Sequence, residues 1–576
     1  MEAKKGLLYE QEECTKRENK IAYFSMEICV DSKIPTYSGG LGILAGDTIR
    51  SAADLGVPMV GITLLYKKGY LRQKINKEGC QQELPEEWSP EEVLVQLPAQ
   101  VQVEIERRKV TVQVWMYMVR GLDGNNVPVY FLDTDLKENS DYDRSLSYYL
   151  YGGDERYRLA QEIVLGIGGV RMLRELGFKD ISRYHMNEGH ASLLALELLN
   201  NYNNQQENKW DIEQVKKSCV FTTHTPVPAG IDQFPYQLVE QVLGNIIPYE
   251  LLKNLAGEEK LNMTQLALNL SHYINGVAKR HGLVSREMFP GYHIDSITNG
   301  VHSATWTGKY FAQLYDQYIP GWKSDSFSLR YALNIPDREV WDAHQKAKEE
   351  LIDYINEVTN LEFDPAILTI GFARRATAYK RADLIFYDLN RLINIASKVG
   401  KMQLVFAGKA HPKDQLGKEL IQKIINTSRQ LPAPATEKIK IVYLENYDMD
   451  LGKRLTSGVD LWLNTPRKPK EASGTSGMKA AHNGVPSLSV LDGWWVEGCI
   501  EGITGWSIGS AANVESIDEE EADSLYKKLE LNIIPIYYHK KSQWINIMRH
   551  CIAINASFFN THRMVLQYVS NAYLYS

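Results

Sequence analysis

The chain has 576 residues, of which 44% are hydrophobic and 23% charged, so it is too long for one core; roughly three or four average domains, or two large α/β domains, are expected. A net charge of −7 argues against a nucleic-acid protein with its basic face and makes any anion site a local one. The six cysteines (Cys14, Cys29, Cys80, Cys219, Cys499, Cys551) form no CxxC pair, the first twenty residues contain no apolar leader, and no apolar run reaches membrane length; no metal, no membrane and a cytoplasmic location are the expectations.

In chain order, short apolar runs at 21–26, 59–65, 127–132 and 219–223 read as strands, with a Gly-rich turn and a helix over 45–55 between the first two. Residues 92–118 read instead as β-hairpins, because Val alternates with polar residues over 101–106 and 110–114. Two halves, 1–301 and 302–576, are expected, with a long helix at 337–360 leading into the second. There the rhythm resumes at 368–372, 403–407, 439–444, 461–464 and 486–491, each run separated from the next by a helix-sized segment. The expected fold class is α/β, with two Rossmann-like domains facing a central cleft. Ligands of open α/β sheets bind beyond the carboxyl ends of the strands.

Three segments at such strand ends carry chemistry. In EASGTSGMK (471–479), small residues and a helix starting near Thr475 offer free amides to an anion. The segment also reads as a capped helix with an incidental lysine, and it lacks Walker A spacing. In GFARRATAYKR (371–381), four cations, Arg374, Arg375, Lys380 and Arg381, fall within eight residues. A solvated helix face is the ordinary fate of such a run, but adjacent Arg374 and Arg375 cannot share one face, which favours a loop holding two anions. YSGGLGILAGD (37–47) places glycines before a helix without dinucleotide spacing, and alone it reads as a plain turn.

Together with YFSME (23–27), NEGH (187–190), THT (223–225) and TNG (298–300), these segments resemble the α-glucan phosphorylase family over most of the chain. The similarity is to the short bacterial and archaeal form, since the chain begins almost at its first core strand. The resemblance implies a GT-B type glycosyltransferase fold, with the last helix packing back on the N-terminal half. It implies phosphorolysis of terminal α-1,4-linked glucose to glucose 1-phosphate with retention, a pyridoxal 5'-phosphate cofactor and a homodimer. By that resemblance Lys479 carries the cofactor covalently, and Arg374, Gly474, Thr475 and Ser476 hold its phosphate. Substrate phosphate falls to Gly40, Arg375 and Lys380. Glucan hydroxyls fall to His224, Asn299, Tyr379, Glu471, Ser473 and Gly474, with the main-chain carbonyl of His224 facing the developing positive charge. Lys479, Arg375, Lys380 and His224 form the implied catalytic set.

For Glu188 and His190, site and structural roles stay equally open, and Glu27 is read as either a cofactor-side or a structural residue. The acidic stretch 515–523 reads as a solvated loop and helix start, Trp494 and Trp495 as core. The alternatives are a nucleotide-sugar-dependent glucan synthase and a non-catalytic glucan-binding protein. A purified protein carrying a pyridoxal chromophore separates the family reading from the synthase.

Overall fold

Short apolar strands spaced by helix-length segments bury both faces when they run parallel under helices. In the computed structural model, which describes residues 2–18, 20–203, 210–511 and 514–574, two large sheets form this way. In the first, Asp295–Ser296, Tyr273–Gly276, Cys219–Thr222, Ile181–Asn187, Lys20–Ser25, Met59–Leu64 and Asn126–Asp133 lie side by side, all parallel. Arg108–Arg120 and Val95–Ile105 then extend the edge antiparallel. They are joined by a two-residue turn, Glu106 and Arg107, whose positive φ values of 50° and 61° suit the right-handed strand twist. The second sheet is wholly parallel, in the order Ile439–Leu444, Met402–Ala407, Leu368–Ala373, Leu461–Asn464, Ser487–Val490, Gly505–Ile508.

The apolar runs mark nine of these strands to within a residue or two at each end, apart from the antiparallel pair, which extends further. Ile181–Asn187 escapes that reading because its first three residues are only half-buried, so Ser182 and Arg183 interrupt the pattern. The predicted long helix is Asp337–Thr359, stopped by Asn360 in the left-handed conformation.

The C-terminal helix Thr561–Tyr568 is seated on the first sheet's side of the molecule: Met564, Val565, Tyr568 and Tyr573 share a core with Ile21, Tyr23 and Ile49. Its polar groups are matched there. The Tyr568 hydroxyl accepts from Asn275 Nδ2 at 2.9 Å, and Tyr573 Oη lies 2.7 Å from His185 Nδ1. Beneath the space between the sheets, Cys29, Ile43 and Trp306 pack with Met449, Met478, Trp494 and Trp495. Both tryptophans of the pair are thus core residues. Among the described residues, no helix is long and apolar enough to cross a membrane.

Candidate functional site

Loops at the carboxyl ends of strands from both sheets line one cavity of about 980 Å³. Gly40, His224 and Asn299 line it from the first sheet's side; Arg374, Arg375, Tyr379, Lys380, Glu471, Ser473, Gly474, Thr475, Ser476 and Lys479 line it from the second's. The residues assigned to cofactor, phosphate and glucan in the sequence therefore line one space, Arg381 of the basic segment excepted.

The Gly-rich turn owes its shape to Glu27, whose Oε2 accepts from the amides of Ser38 (2.5 Å) and Gly39 (3.3 Å). Tyr151 donates to the other oxygen at 2.8 Å. A Cβ built on Gly39 or Gly40 meets nothing within 4 Å, so the backbone faces open cavity where the helix Gly40–Asp54 begins. Glu188 does comparable work one strand over. Its carboxylate accepts from the amides of Gly189 and His224 and from the Thr225 hydroxyl, at 2.7–2.9 Å. His224 Nε2 meets Asn187 Oδ1 at 2.6 Å, and burial pushes the imidazole down to about 3, so this ring is neutral at neutral pH.

The basic segment leaves its strand as a loop and a short 3₁₀ turn, and its four cations part company. Arg374 pairs with Glu471 Oε2 at 2.7 Å and also reaches Asn464 Oδ1. Lys380 grips both Glu471 oxygens, at 3.0 and 2.8 Å. Burial pushes the Glu471 carboxyl up, but these two cations outweigh it and hold it at about 2. Arg375 is exposed to the cavity and, among the described residues, forms no ion pair. Arg381 does not join them. In the left-handed conformation, it turns away to the Thr465 and Pro466 carbonyls, Asp518 and Glu521. The expected four-cation cluster is three because Arg381 is consumed by an acidic partner 140 residues on.

That partner corrects a second expectation. The acidic stretch 515–523 is not simply solvated: Glu521 is buried against Arg381 and Lys468, and Asp518 pairs with Arg381 and Arg467. Arg467 and Lys468, in the turn after Leu461–Asn464, thus find their acidic partners in this helix start.

Lys479 lies on the short helix Ser476–Ala481, its Nζ 3.7 Å from the centroid of the Trp306 ring. Among the described residues it pairs with no carboxylate, and burial lowers it to about 8. An amine so placed gives up its proton far more easily than a free lysine, which suits covalent attachment to an aldehyde cofactor. The surroundings fit a polar, phosphorylated ligand as well. Asn299 Oδ1, Thr377 Oγ1 and Ser473 Oγ belong to residues lining the cavity, are buried and have no hydrogen-bond partner among the described residues. Trp306 went unnoticed in the sequence because nothing local ties it to Lys479. Lys409 and His411, also on the cavity wall, could have been found from their place after the run 403–407.

The profile of the carbohydrate phosphorylase family matches residues 33–134 and 250–504. A maltodextrin phosphorylase of Thermococcus litoralis is 42% identical over 97% of this chain and 71% of its own length. A glycogen phosphorylase of Aquifex aeolicus is 35% identical over 96% of this chain and 86% of its own. An uncharacterised protein of Methanocaldococcus jannaschii is 31% identical over 96% of this chain and 99% of its own. With that coverage added to the shared cavity, the chain belongs to the carbohydrate phosphorylase family.

Proposed function

We propose that the protein is an α-1,4-glucan phosphorylase that releases α-D-glucose 1-phosphate from maltodextrin, starch or glycogen. The observation that carries this is the placement, around one cavity, of an unpaired Arg375 beside the open Gly39–Gly40 backbone and a buried, carboxylate-free Lys479. The two sheets are then the halves, 1–301 and 302–576, of a GT-B type arrangement. The active unit is a homodimer in the cytoplasm.

Lys479 would hold pyridoxal 5'-phosphate, with Arg374 and the amides of Gly474, Thr475 and Ser476 toward the cofactor's phosphate. That group, when bound, supplies a phosphate able to donate and accept a proton near neutrality. Arg375, Lys380 and the Gly40 amide bind the substrate phosphate. Cations between two phosphates make their proximity tolerable. Glucose hydroxyls fall to Asn299, Tyr379, Glu471, Ser473 and Gly474. The His224 main-chain carbonyl is anchored through its own residue's amide on Glu188 and faces developing positive charge at the anomeric carbon. Lys380 and Arg374 arrive already committed to Glu471, so sugar and phosphate binding meet on one carboxylate.

Phosphate-dependent release of glucose 1-phosphate from maltodextrins of graded length tests the reading, alongside the absorbance of the purified protein. A pyridoxal chromophore and the sugar phosphate are expected from the native chain, and neither from Lys479→Ala. Full activity in that variant overturns the assignment.

A further inference from the structure

Away from the cavity, three side chains from distant parts of the chain meet at a single oxygen. Asp54 closes the helix Gly40–Asp54, His302 follows the strand-end segment TNG, and His562 lies on the helix Thr561–Tyr568. Nε2 of His302 is 2.8 Å, and Nε2 of His562 3.0 Å, from Asp54 Oδ2. The three donor atoms all lie within 4.8 Å of one another. The side chains are 6–8% exposed, and none lines the cavity.

With Nε2–H of both rings on one oxygen, each Nδ1 becomes an acceptor. His302 Nδ1 is served by the Thr305 hydroxyl at 2.7 Å, whereas the buried His562 Nδ1 has no partner among the described residues. Two imidazoles and a carboxylate also make a donor set suited to a borderline divalent ion; calcium and magnesium prefer oxygen, and copper(I) prefers sulfur. We propose that Asp54, His302 and His562 form a binding site for a divalent transition-metal ion, Zn²⁺ by donor chemistry, with water in the fourth position.

Ligand bonds of about 2.0–2.2 Å set tetrahedral donors about 3.3–3.6 Å apart, so each histidine nitrogen need draw back from Asp54 Oδ2 by only about half an ångström. The imidazoles lose no proton: each ring hydrogen moves from Nε2 to Nδ1, and on His302 it would point at Thr305 Oγ1. That gives one ligand the outer hydrogen bond that metal-bound histidines usually have. The carboxylate is already oriented, since Asp54 Oδ1 accepts from the Leu122 amide at 2.9 Å. The bound ion would be a cross-link rather than a reaction centre. His302 N and Trp306 Nε1 both donate to Asp47 Oδ2, at 3.1 and 2.7 Å, and Trp306 is the ring beneath Lys479. The ion would therefore pin the helix behind the Gly-rich turn, the start of the second half and the C-terminal helix to one another.

The test uses the full-length holoenzyme, freed of metal by a chelator and titrated calorimetrically with Zn²⁺ alone, then with Co²⁺ followed by its visible bands. One ion per chain and a Zn²⁺-dependent rise in Tm are expected, both lost in His562→Gln. Because that change also removes a hydrogen-bond partner, Thr305→Val serves as a second variant. It keeps all three donors and should weaken Zn²⁺ binding about 10- to 100-fold. Absence of binding to the native chain, or binding unchanged in both His562→Gln and Asp54→Asn, overturns the proposal.

Discussion

Arg375 and Asp492 show how single side chains set the chemistry of the cavity. Arg375 is the one arginine of its segment not committed to a carboxylate among the described residues, and a phosphate is the partner its fork geometry suits. Hydrogen bonds to a charged group are worth about 1.5–3 kcal/mol. Arg375→Ala should accordingly raise the phosphate KM about ten- to a hundredfold and leave the glucan KM nearly unchanged; an unaltered phosphate KM in steady-state assays counts against its role. Asp492 acts at one remove, its two oxygens accepting from the amides of Glu471 and Gly493, both at 2.9 Å. Burial raises its carboxyl from 3.8 to about 7, the Glu471 charge adding to the rise and the two amides opposing it. Since the folded value lies above the unfolded one, the native state holds the proton more tightly. The stability this confers is complete below about 3.8 and is lost as pH rises through about 7. Asp492→Asn should remove that decline, on the order of a few kcal/mol. Urea midpoints that fall equally with pH in both proteins would refute the assignment.

At the scale of elements, the C-terminal helix does more than fill a groove. Arg563 reaches from it to the carbonyls of Thr298 (2.6 Å) and Asn299 (3.0 Å), fixing the backbone that presents Asn299 to the cavity. Arg563→Lys keeps a charge but not the fork. We expect the glucan KM to rise severalfold with the phosphate KM unmoved; equal changes in both would point to a general loss of fold instead. Nothing in HRMV, the sequence around Arg563, announces this contact. Strands such as Met59–Leu64 and Leu461–Asn464 were legible because burial on both faces demands apolar runs. Ile181–Asn187 hid behind its half-buried polar start, and Gly505–Ile508 behind Gly505 and Ser507, which break its apolar run. The cavity wall was legible where a motif closes a strand, as at Glu471 or His224. Trp306, which reaches it by folding across the chain to lie under Lys479, was not, and neither was Glu521, which draws Arg381 away from it; neither pairing has a local pattern.

The whole molecule depends on contacts made across the cavity, and the hairpin Arg72–Ile75 with Gln81–Leu84 supplies a dense set. Gln73 exchanges hydrogen bonds with Asn446, donating its amide at 3.1 Å and accepting at 2.9 Å, and its Nε2 reaches the Gly408 carbonyl at 2.8 Å. Gln81 answers both backbone groups of Ala410, each at 2.9 Å. Lys409 lies between those two residues of the second sheet's loop, lines the cavity and donates to the Leu71 carbonyl at 2.8 Å. The hairpin thus holds one wall in place by satisfying backbone groups that water cannot easily reach. Gln81→Met preserves length and apolar bulk but leaves the buried Ala410 amide and carbonyl without partners, a cost of about 1–3 kcal/mol for each such group. The urea midpoint should fall accordingly, and kcat/KM for glucan should fall with it as Lys409 loses its support. Gln81→Glu still accepts from the Ala410 amide but sets a carboxylate oxygen against the Ala410 carbonyl and Glu83 Oε1, so it should restore neither. An unchanged midpoint in Gln81→Met would mean that the hairpin lies against the second sheet without bracing it.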